Sequence, residues 1–457
     1  MAERIIYQAD GAAEDPYRTA GNLEAWQLDL AGHAVGNSRL AFAISAAFAG
    51  PLLYPCEAEG GGFHFRGGSS IGKTTALQVA GSVWGGRDFI RTWRATSNGL
   101  EGVAMMHCDT LLLLDEMGQC EGREVAASAY MLANGQGKTR AARNGAARRA
   151  ARWRTIFLST GELGLADKIA EDGKGRRAAA GQEVRIVDIP ADAGAGLGIF
   201  EDLHGFPSAD AFARHLKSVA AEHFGRASHT FLARLTADFD TIAPKVKAFA
   251  EHFTAKHCPA NADGQVSRVC GRFALVAAAG EMATAFGVLP WAAGEASKAA
   301  ARCFADWIAE RGGIEPAEER DHIAAVRRFL ELHGSSRFEL MDSLAPKRTV
   351  FDGGYSTEEP IEQRIINRAG FKRPDPDNRT DAEFIFLPEV WKSEVCAGLD
   401  PTAVAKTLAK RGMLKPGSGS KLQNFQRVPG SRNPVRCYVI PSAILGEAVD
   451  STRGSAL

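Results

Sequence analysis

The sequence predicts an α/β fold built on a mostly parallel sheet with flanking helices, followed by a helical bundle and a winged-helix-like C-terminal domain. Three observations predict it. A short strand, Phe63 to Arg66, runs directly into the glycine-rich loop GGSSIGKTT and then into a helical pattern. Further strand-like runs at Phe89 to Trp93, Leu111 to Leu114 and Thr155 to Ser159 alternate with helical stretches, the pattern of a parallel sheet. After Val184 to Ile189 the composition turns alanine-rich and helical, and near the C-terminus the order becomes strand, helix, helix, hairpin.

The 457 residues are 45% hydrophobic, enough to bury two to four compact cores. Counts of 54 basic and 54 acidic residues leave no net charge, so any attraction to nucleic acid must come from local patches. The opening MAERIIYQADGAAEDPYRTAG lacks the apolar stretch of a secretory signal, and no run approaches the roughly 18 to 20 apolar residues that span a bilayer. A cytoplasmic protein without a membrane partner is expected. Eight cysteines, from Cys56 to Cys437, form no CxxC pair or Cys/His cluster and are expected to be reduced and mostly buried.

Taken in order, residues 1–60 form an N-terminal helical accessory segment. Within it Leu40, Ala43, Ile44, Ala47 and Phe48 recur at helical spacing before Pro51. Residues 61–205 form the α/β core and residues 206–342 a helical lid or bundle, with amphipathic helices from Asp210 to His333. Residues 343–457 form the last domain. It opens on a stretch from Ser343 to Asp381 rich in Pro, Gly, Asp and Arg that reads as a loop or boundary. FIFLP, PEVWKSEVCAG, a helix opened by Asp400 and Pro401, and strands around RVPGSRNPVRCYVI then give the winged-helix outline.

Gly67, Gly68, Ser69, Ser70, Ile71, Gly72, Lys73 and Thr74 satisfy the G-x4-G-K-[ST] pattern in its required setting between strand and helix. Glycines let backbone N–H groups turn inward around phosphates. The helix N-terminus adds positive potential, Lys73 reaches the β and γ phosphates, and the Thr74 hydroxyl ligates Mg²⁺, with Thr75 completing the ATP-binding run. Downstream, LLLLDE ends a buried strand in Asp115 and Glu116, at the sheet edge where ligands of open α/β sheets bind. Asp115 is the expected Mg²⁺ partner, and Glu116 the residue that orients or deprotonates the attacking water. TIFLST ends in Ser159 and Thr160, either of which could sense the γ-phosphate; Thr160 is preferred. Arg176, Arg177 and Arg185 are candidates for a guanidinium acting across a subunit boundary, with Arg185 favoured.

Between the acids and TIFLST lies NGQGKTRAARNGAARRAARWR, which contains no acid. Its glycines suggest a hairpin on which Lys138, Arg140, Arg143, Arg148 and Arg149 could track DNA phosphates; the alternatives are a basic solvated surface or an interface with the acidic face of a neighbour. Lys406 to Arg436 is also free of acids and fits either duplex DNA or a protein partner.

Together RGGSSIGKTT, RTWRATSNGLEG, LLLLDEMGQ, NGQGKTRAARNG, WRTIFLSTGE and GQEVRIVDIP resemble the ATPase region of domain-of-unknown-function family 927 over roughly Leu40 to His204. That family is similar to superfamily 3 and poxvirus-type primase-helicases of phages, plasmids and integrated elements. The resemblance implies an AAA+/RecA-like P-loop NTPase, a hexameric DNA helicase or translocase with Mg²⁺-ATP bound between subunits. It also implies a hairpin on single-stranded or forked DNA through Lys138 and Arg140, and an arginine finger in trans, here Arg185. A primase or other replication protein is an expected partner. Superfamily 3 members usually carry Asn where this chain has Ser159 and Thr160. About 60 residues precede the phosphate loop, so a primase activity of its own is not expected. The competing expectations are a nucleotide-dependent initiator or loader switch and an ATP-driven defence or DNA-packaging protein.

Overall fold

A computed structural model of the chain describes residues 15–138, 140–141, 147–148, 150–171, 184–341, 347–352, 355–360, 365–374, 382–429 and 431–446. The chain divides into two compact units, Met1–Ile314 and Glu315–Leu457.

In the first unit, α1 (Ser38–Ala49) precedes β1 (Gly61–Arg66), the phosphate loop and α2 (Lys73–Gly81). Next come β2 (Ile90–Thr92), α3 (Ser97–Met106), β3 (Thr110–Asp115) and α4 (Gly122–Asn134). A small hairpin, β4 (Arg140–Ala141) and β5 (Ala147–Arg148), leads to β6 (Thr155–Gly161), α5 (Leu165–Ala170) and β7 (Ile186–Pro190). The helices α6 (Ala209–Glu222), α7 (Arg226–Ala237), α8 (Phe239–His257), α9 (Gly264–Ala285) and α10 (Glu295–Arg311) complete the unit.

The large sheet has the order β2-β3-β6-β1-β7, and every neighbouring pair is parallel. Burial on both faces explains why its strands read as continuous apolar runs. Leu111 and Leu113 face one core with Ile156 and Leu158, while Leu112 and Leu114 face the other with Phe157. The second face is covered by α3, α4 and α5 through Leu100, Val125, Leu132 and Leu165. This topology inserts β6 between the phosphate-loop strand and the acidic strand, although β6 comes after both in sequence.

α1 packs into the core shared with the sheet that follows it. All twelve of its residues are buried. Phe42 packs edge-on against Phe63 of β1, with centroids 4.9 Å apart, and against Phe273 of α9 at 5.3 Å. Apolar residues occupy nearly the whole circumference, which is the pattern of an interior helix, and the selected i, i+3, i+4 stripe hides this. The cluster containing α1 extends from Trp26 to Trp307, so the helices after β7 share one core with the sheet. Arg39, 1% exposed, is the one charged residue of α1; it pairs with Asp306 at 2.7 Å and donates to the Pro190 carbonyl.

The second unit begins with α11 (Ala317–His333), followed by β8 (Phe338–Leu340), β9 (Lys347–Asp352), β10 (Tyr355–Pro360), β11 (Gly370–Pro374) and β12 (Ala382–Phe386). α12 (Pro401–Lys410), β13 (Asn424–Gln426) and β14 (Val435–Pro441) follow. The division falls before α11, ahead of the composition shift near Ser343, because Val326, Phe329 and Leu330 of α11 are buried with Phe338, Phe384 and Leu408. The stretch expected as a loop contains an antiparallel pair, β9 with β10, and a sheet strand, β11. Gly353 and Gly354 between β9 and β10 are the overlooked hairpin signal. Between β12 and the antiparallel pair β13–β14 lie a short helix, Pro388–Val390, and α12, and the strands belong to a five-stranded sheet of order β13-β14-β12-β11-β8.

All eight cysteines are free. Among the described residues no helix is long and apolar enough to cross a membrane.

Candidate functional site

The phosphate loop follows β1 at the carboxyl edge of the sheet, and its backbone is specialised. Ser70 and Gly72 both have positive φ, 62° and 97°, which turns the chain into α2. A Cβ at Gly72 would lie 2.6 Å from Ile199 Cγ2, and the Ile199 amide donates to the Ile71 carbonyl at 2.8 Å. The segment after β7 thus supports the loop from beneath, a contribution invisible in the motif. Asn37 ties that segment to the start of α1 by accepting from the Glu201 and Asp202 amides and donating to the Asp202 carbonyl.

Lys73 is nearly buried, and its ammonium donates to the carbonyls of Gly67, at 2.7 Å, and Gly68. The Thr74 hydroxyl donates to Asp115 Oδ2 at 3.3 Å. Thr160 donates to the other oxygen, Asp115 Oδ1, and its Oγ1 accepts from the Glu116 amide at 3.3 Å. Glu116 sits in the left-handed region with φ 59°, a sparsely populated conformation for a glutamate. Thr74, Asp115, Glu116 and Thr160 therefore form one connected group, assembled from α2, β3 and β6 at a single sheet edge.

Ser159 and Thr160 are separated by the alternation of β6. Thr160 turns toward the acids, whereas Ser159 is buried between Trp93 and His64. The Trp93 indole donates to Ser159 Oγ at 2.8 Å, and Ser159 Oγ lies 2.8 Å from His64 Nδ1. His64 Nε2 reaches the Leu163 carbonyl at 3.1 Å. Burial lowers the His64 pKa to about 4, so the imidazole is neutral. With Nε2 carrying the proton, Ser159 donates to Nδ1 and every group is satisfied. This file of side chains runs beneath the acids from β2 across β6 to β1, and the sequence reading had not identified His64 or Trp93.

Two features bear on the fit of Mg²⁺-ATP. Thr74 and Asp115, a hydroxyl and a carboxylate, are hard oxygen donors suited to Mg²⁺ when phosphates supply the rest. The Thr75 hydroxyl is buried in the first turn of α2 with no hydrogen-bond partner, a spare donor beside the loop.

The basic segment leaves from the opposite, amino edge. Its stem is an antiparallel ladder: Gly137 donates to Ala151, Trp153 to Gly135, and Arg140 pairs with Arg148. Gly135, at φ 65°, ends α4 and starts the stem. Buried Glu101 accepts from the Lys138 amide at 3.2 Å, an anchor the sequence reading missed. Lys138 is exposed. Arg140 and Arg148 lie on the paired strands, while Arg143, Arg149, Arg176 and Arg177 lie outside the described residues.

Arg185 immediately precedes β7, at the amino edge, away from the Lys73 loop of the same chain. Its guanidinium lies over Tyr130, 4.5 Å from the ring centroid, and donates to Asn134 Oδ1 at 3.1 Å. In the second unit, part of the basic C-terminal stretch is neutralised. Lys410 and Arg411 pair with Glu319, Arg411 also with Glu315, and Lys415 with Glu383. Those acids lie in earlier elements, so a window from Lys406 to Arg436 could not reveal them.

Residues 1–153 match the family described as Domain of unknown function (DUF927). A comparison with curated proteins finds no match. Among solved structures, the chain is similar to one described as "SCCmec type IV Cch - active helicase", with a TM-score of 0.65 and 18% sequence identity, over 94% of this chain and 73% of that chain. At that identity the likeness is one of fold, which in this chain is a parallel five-stranded sheet with flanking helices.

Proposed function

We propose that this chain is an ATP-dependent DNA helicase or translocase of a mobile element, working as a ring, expected to be hexameric, with ATP between subunits. The observation that carries the proposal is the division of the sheet. Lys73, Thr74, Asp115, Glu116 and Thr160 converge at its carboxyl edge, and a hairpin bearing Lys138, Arg140 and Arg148 leaves its amino edge. Such an arrangement can couple phosphoryl chemistry on one side of a rigid sheet to a grip on phosphates on the other. Its fold likeness to a mobile-element helicase supports the same proposal.

In this mechanism the loop amides and Lys73 bind the ATP phosphates and neutralise charge as the terminal phosphoryl group departs. Thr74 and Asp115 would hold Mg²⁺ together with the phosphates, and the ion would supply further charge neutralisation. Glu116, its backbone fixed through Thr160, orients the attacking water and accepts its proton. Thr160 links Asp115 to Glu116, so a change at the phosphate is felt by both acids. An arginine from the next subunit, Arg185 by this proposal, completes the charge compensation. Lys138 and Arg140 hold the strand through its phosphates without reading bases.

The test is the ATPase rate with and without single-stranded DNA, with particle mass measured in the same buffer. DNA should raise the rate, Lys73→Ala should abolish turnover, and Lys138→Ala/Arg140→Ala should remove only the stimulation. Assembled rings whose turnover ignores DNA would refute the motor and favour a loader or switch.

A further inference from the structure

A cavity lies at the amino edge of the large sheet, on the side opposite the phosphate loop. It measures ≈ 330 Å³ and is lined by the starts of β1, β6 and β7, the end of α4 and one face of α9. Four guanidinium side chains contribute to the lining, those of Arg154, Arg185, Arg268 and Arg272, against one carboxylate, Glu59. The cavity adjoins the foot of the hairpin, since Gly135 and Trp153 belong both to its wall and to the stem.

Arg272 is the unusual member. It is 6% exposed, and Nη1 donates to the carbonyls of Val184 and Arg185 at 3.0 and 3.4 Å. Its Nε has no hydrogen-bond partner, and among the described residues no carboxylate pairs with it. Burial lowers its pKa to about 10, which leaves it charged at neutral pH; Glu59 is near enough to favour that charge but makes no ion pair with it. The start of β1 is shaped around it. Gly61 has φ 156°, and a Cβ there would come within 2.4 Å of the guanidinium carbon. A buried cation hydrogen-bonded only to carbonyls, in a cavity with a surplus of positive charge, suits an anion whose oxygens can accept from the guanidinium.

The other arginines differ in how much of their charge is already engaged. Arg154 is bound to Asp109 through two contacts of 2.7 and 2.6 Å and lies over Tyr54. Arg185 lies over Tyr130. Arg268 is exposed and stands 3.7 Å from Glu59, a long contact that a stronger anion could displace. Tyr54 and Tyr130 are themselves exposed, and arginine–tyrosine pairs of this kind offer flat surfaces for base stacking.

We propose that this cavity is a phosphate-ester site in which Arg272 and Arg268 hold the anion, Glu59 competes with it, and the Arg154–Tyr54 pair receives an attached base. The ester is either a phosphodiester of the strand gripped by the hairpin or the phosphate of a mononucleotide. Only the first source rests on the DNA function proposed above.

The experiment uses the full chain carrying Lys73→Ala, so that nucleotide binding at the phosphate loop is suppressed. A labelled oligothymidylate, thymidine monophosphate and inorganic phosphate are the probes, followed by anisotropy and thermal shift. Arg268→Ala should weaken oligothymidylate binding about 5- to 10-fold and lower the salt slope by about 1. Glu59→Gln should strengthen it about threefold. Thermal stabilisation by thymidine monophosphate, lost in Arg268→Ala, assigns the site to a mononucleotide; a response with the oligonucleotide alone assigns it to the strand. Arg272→Lys should resemble Arg268→Ala, and if it fails to fold, the two exposed-site variants still decide.

Unchanged binding of all three probes in both Arg268→Ala and Glu59→Gln would overturn the site. If Lys138→Ala/Arg140→Ala abolishes strand binding while Arg268→Ala changes neither strand binding nor the response to thymidine monophosphate, the cavity proposal fails and the DNA proposal stands. A change in particle mass without a change in phosphate binding would mean that the cavity takes an acidic side chain of a neighbouring copy, and would also overturn it.

Discussion

Replacing Thr160 by valine, an isosteric change, removes one hydroxyl and with it two interactions at the acidic pair. The hydroxyl donates to Asp115 Oδ1 and accepts from the Glu116 amide at 3.3 Å. A hydrogen bond to a charged group contributes about 1.5–3 kcal/mol, and that loss is expected to appear in the chemical step because it frees the two acids from each other. At 1.36 kcal/mol per tenfold in rate, kcat should fall about 10- to 150-fold, with KM for MgATP little changed. Ser159→Ala provides the contrast one residue earlier. It strands the Trp93 indole donor and the His64 ring, at a cost of about 2–4 kcal/mol, and should lower Tm by several degrees while the rate at low temperature stays within about threefold of the parent. A coupled ATPase assay at saturating MgATP, run beside a thermal melt of both variants, separates the two roles. A Thr160→Val protein that keeps its parental kcat, or a Ser159→Ala protein that loses activity without losing stability, would refute the assignment of the two side chains.

Other consequences follow from the same packing. His64 and His107 are buried and neutral, each with its pKa lowered to about 4 by burial, so the unfolded chain binds more protons than the folded one between pH 4 and 6.5. Their stabilisation is full above pH 6.5 and is lost as pH falls toward 4, with a slope near pH 5 of about 2.7 kcal/mol per pH unit for the pair; denaturant melts of the parent and His107→Gln should show that slope reduced by about half in the variant. Phe42→Ala opens a cavity between Phe63 and Phe273 and should cost about 3–5 kcal/mol in a urea titration, against near-neutrality if α1 were peripheral. Gly62→Ala would put a Cβ 1.9 Å from the Phe157 ring in the neighbouring strand and should destabilise the chain by about 1–3 kcal/mol or more, read as a lower Tm.

The sequence by itself determined the local chemistry. The phosphate loop is legible because strand, glycines, Lys73 and Thr74 are contiguous and each demands its neighbours' backbone geometry. LLLLDE is legible because a strand buried on both faces must be apolar until it reaches the edge, where Asp115 and Glu116 appear. The hairpin could be inferred from its glycines. Only the tertiary structure decided which residues meet. It placed β6 between β1 and β3, which gave Thr160 to the acids and Ser159 to the Trp93–His64 file; alternation guaranteed that the two differ, but the strand order fixed which was which. It buried α1 on every side, because a helix enclosed by a sheet and by α9 has no polar face to reveal its orientation. It also brought Arg272 of α9 beside Gly61 of β1, a pairing across more than two hundred residues for which no local pattern exists. Contiguous motifs record bonds between near neighbours, whereas a sheet edge gathers side chains from strands that are distant in the chain, and their order is set by how all the apolar faces are covered at once.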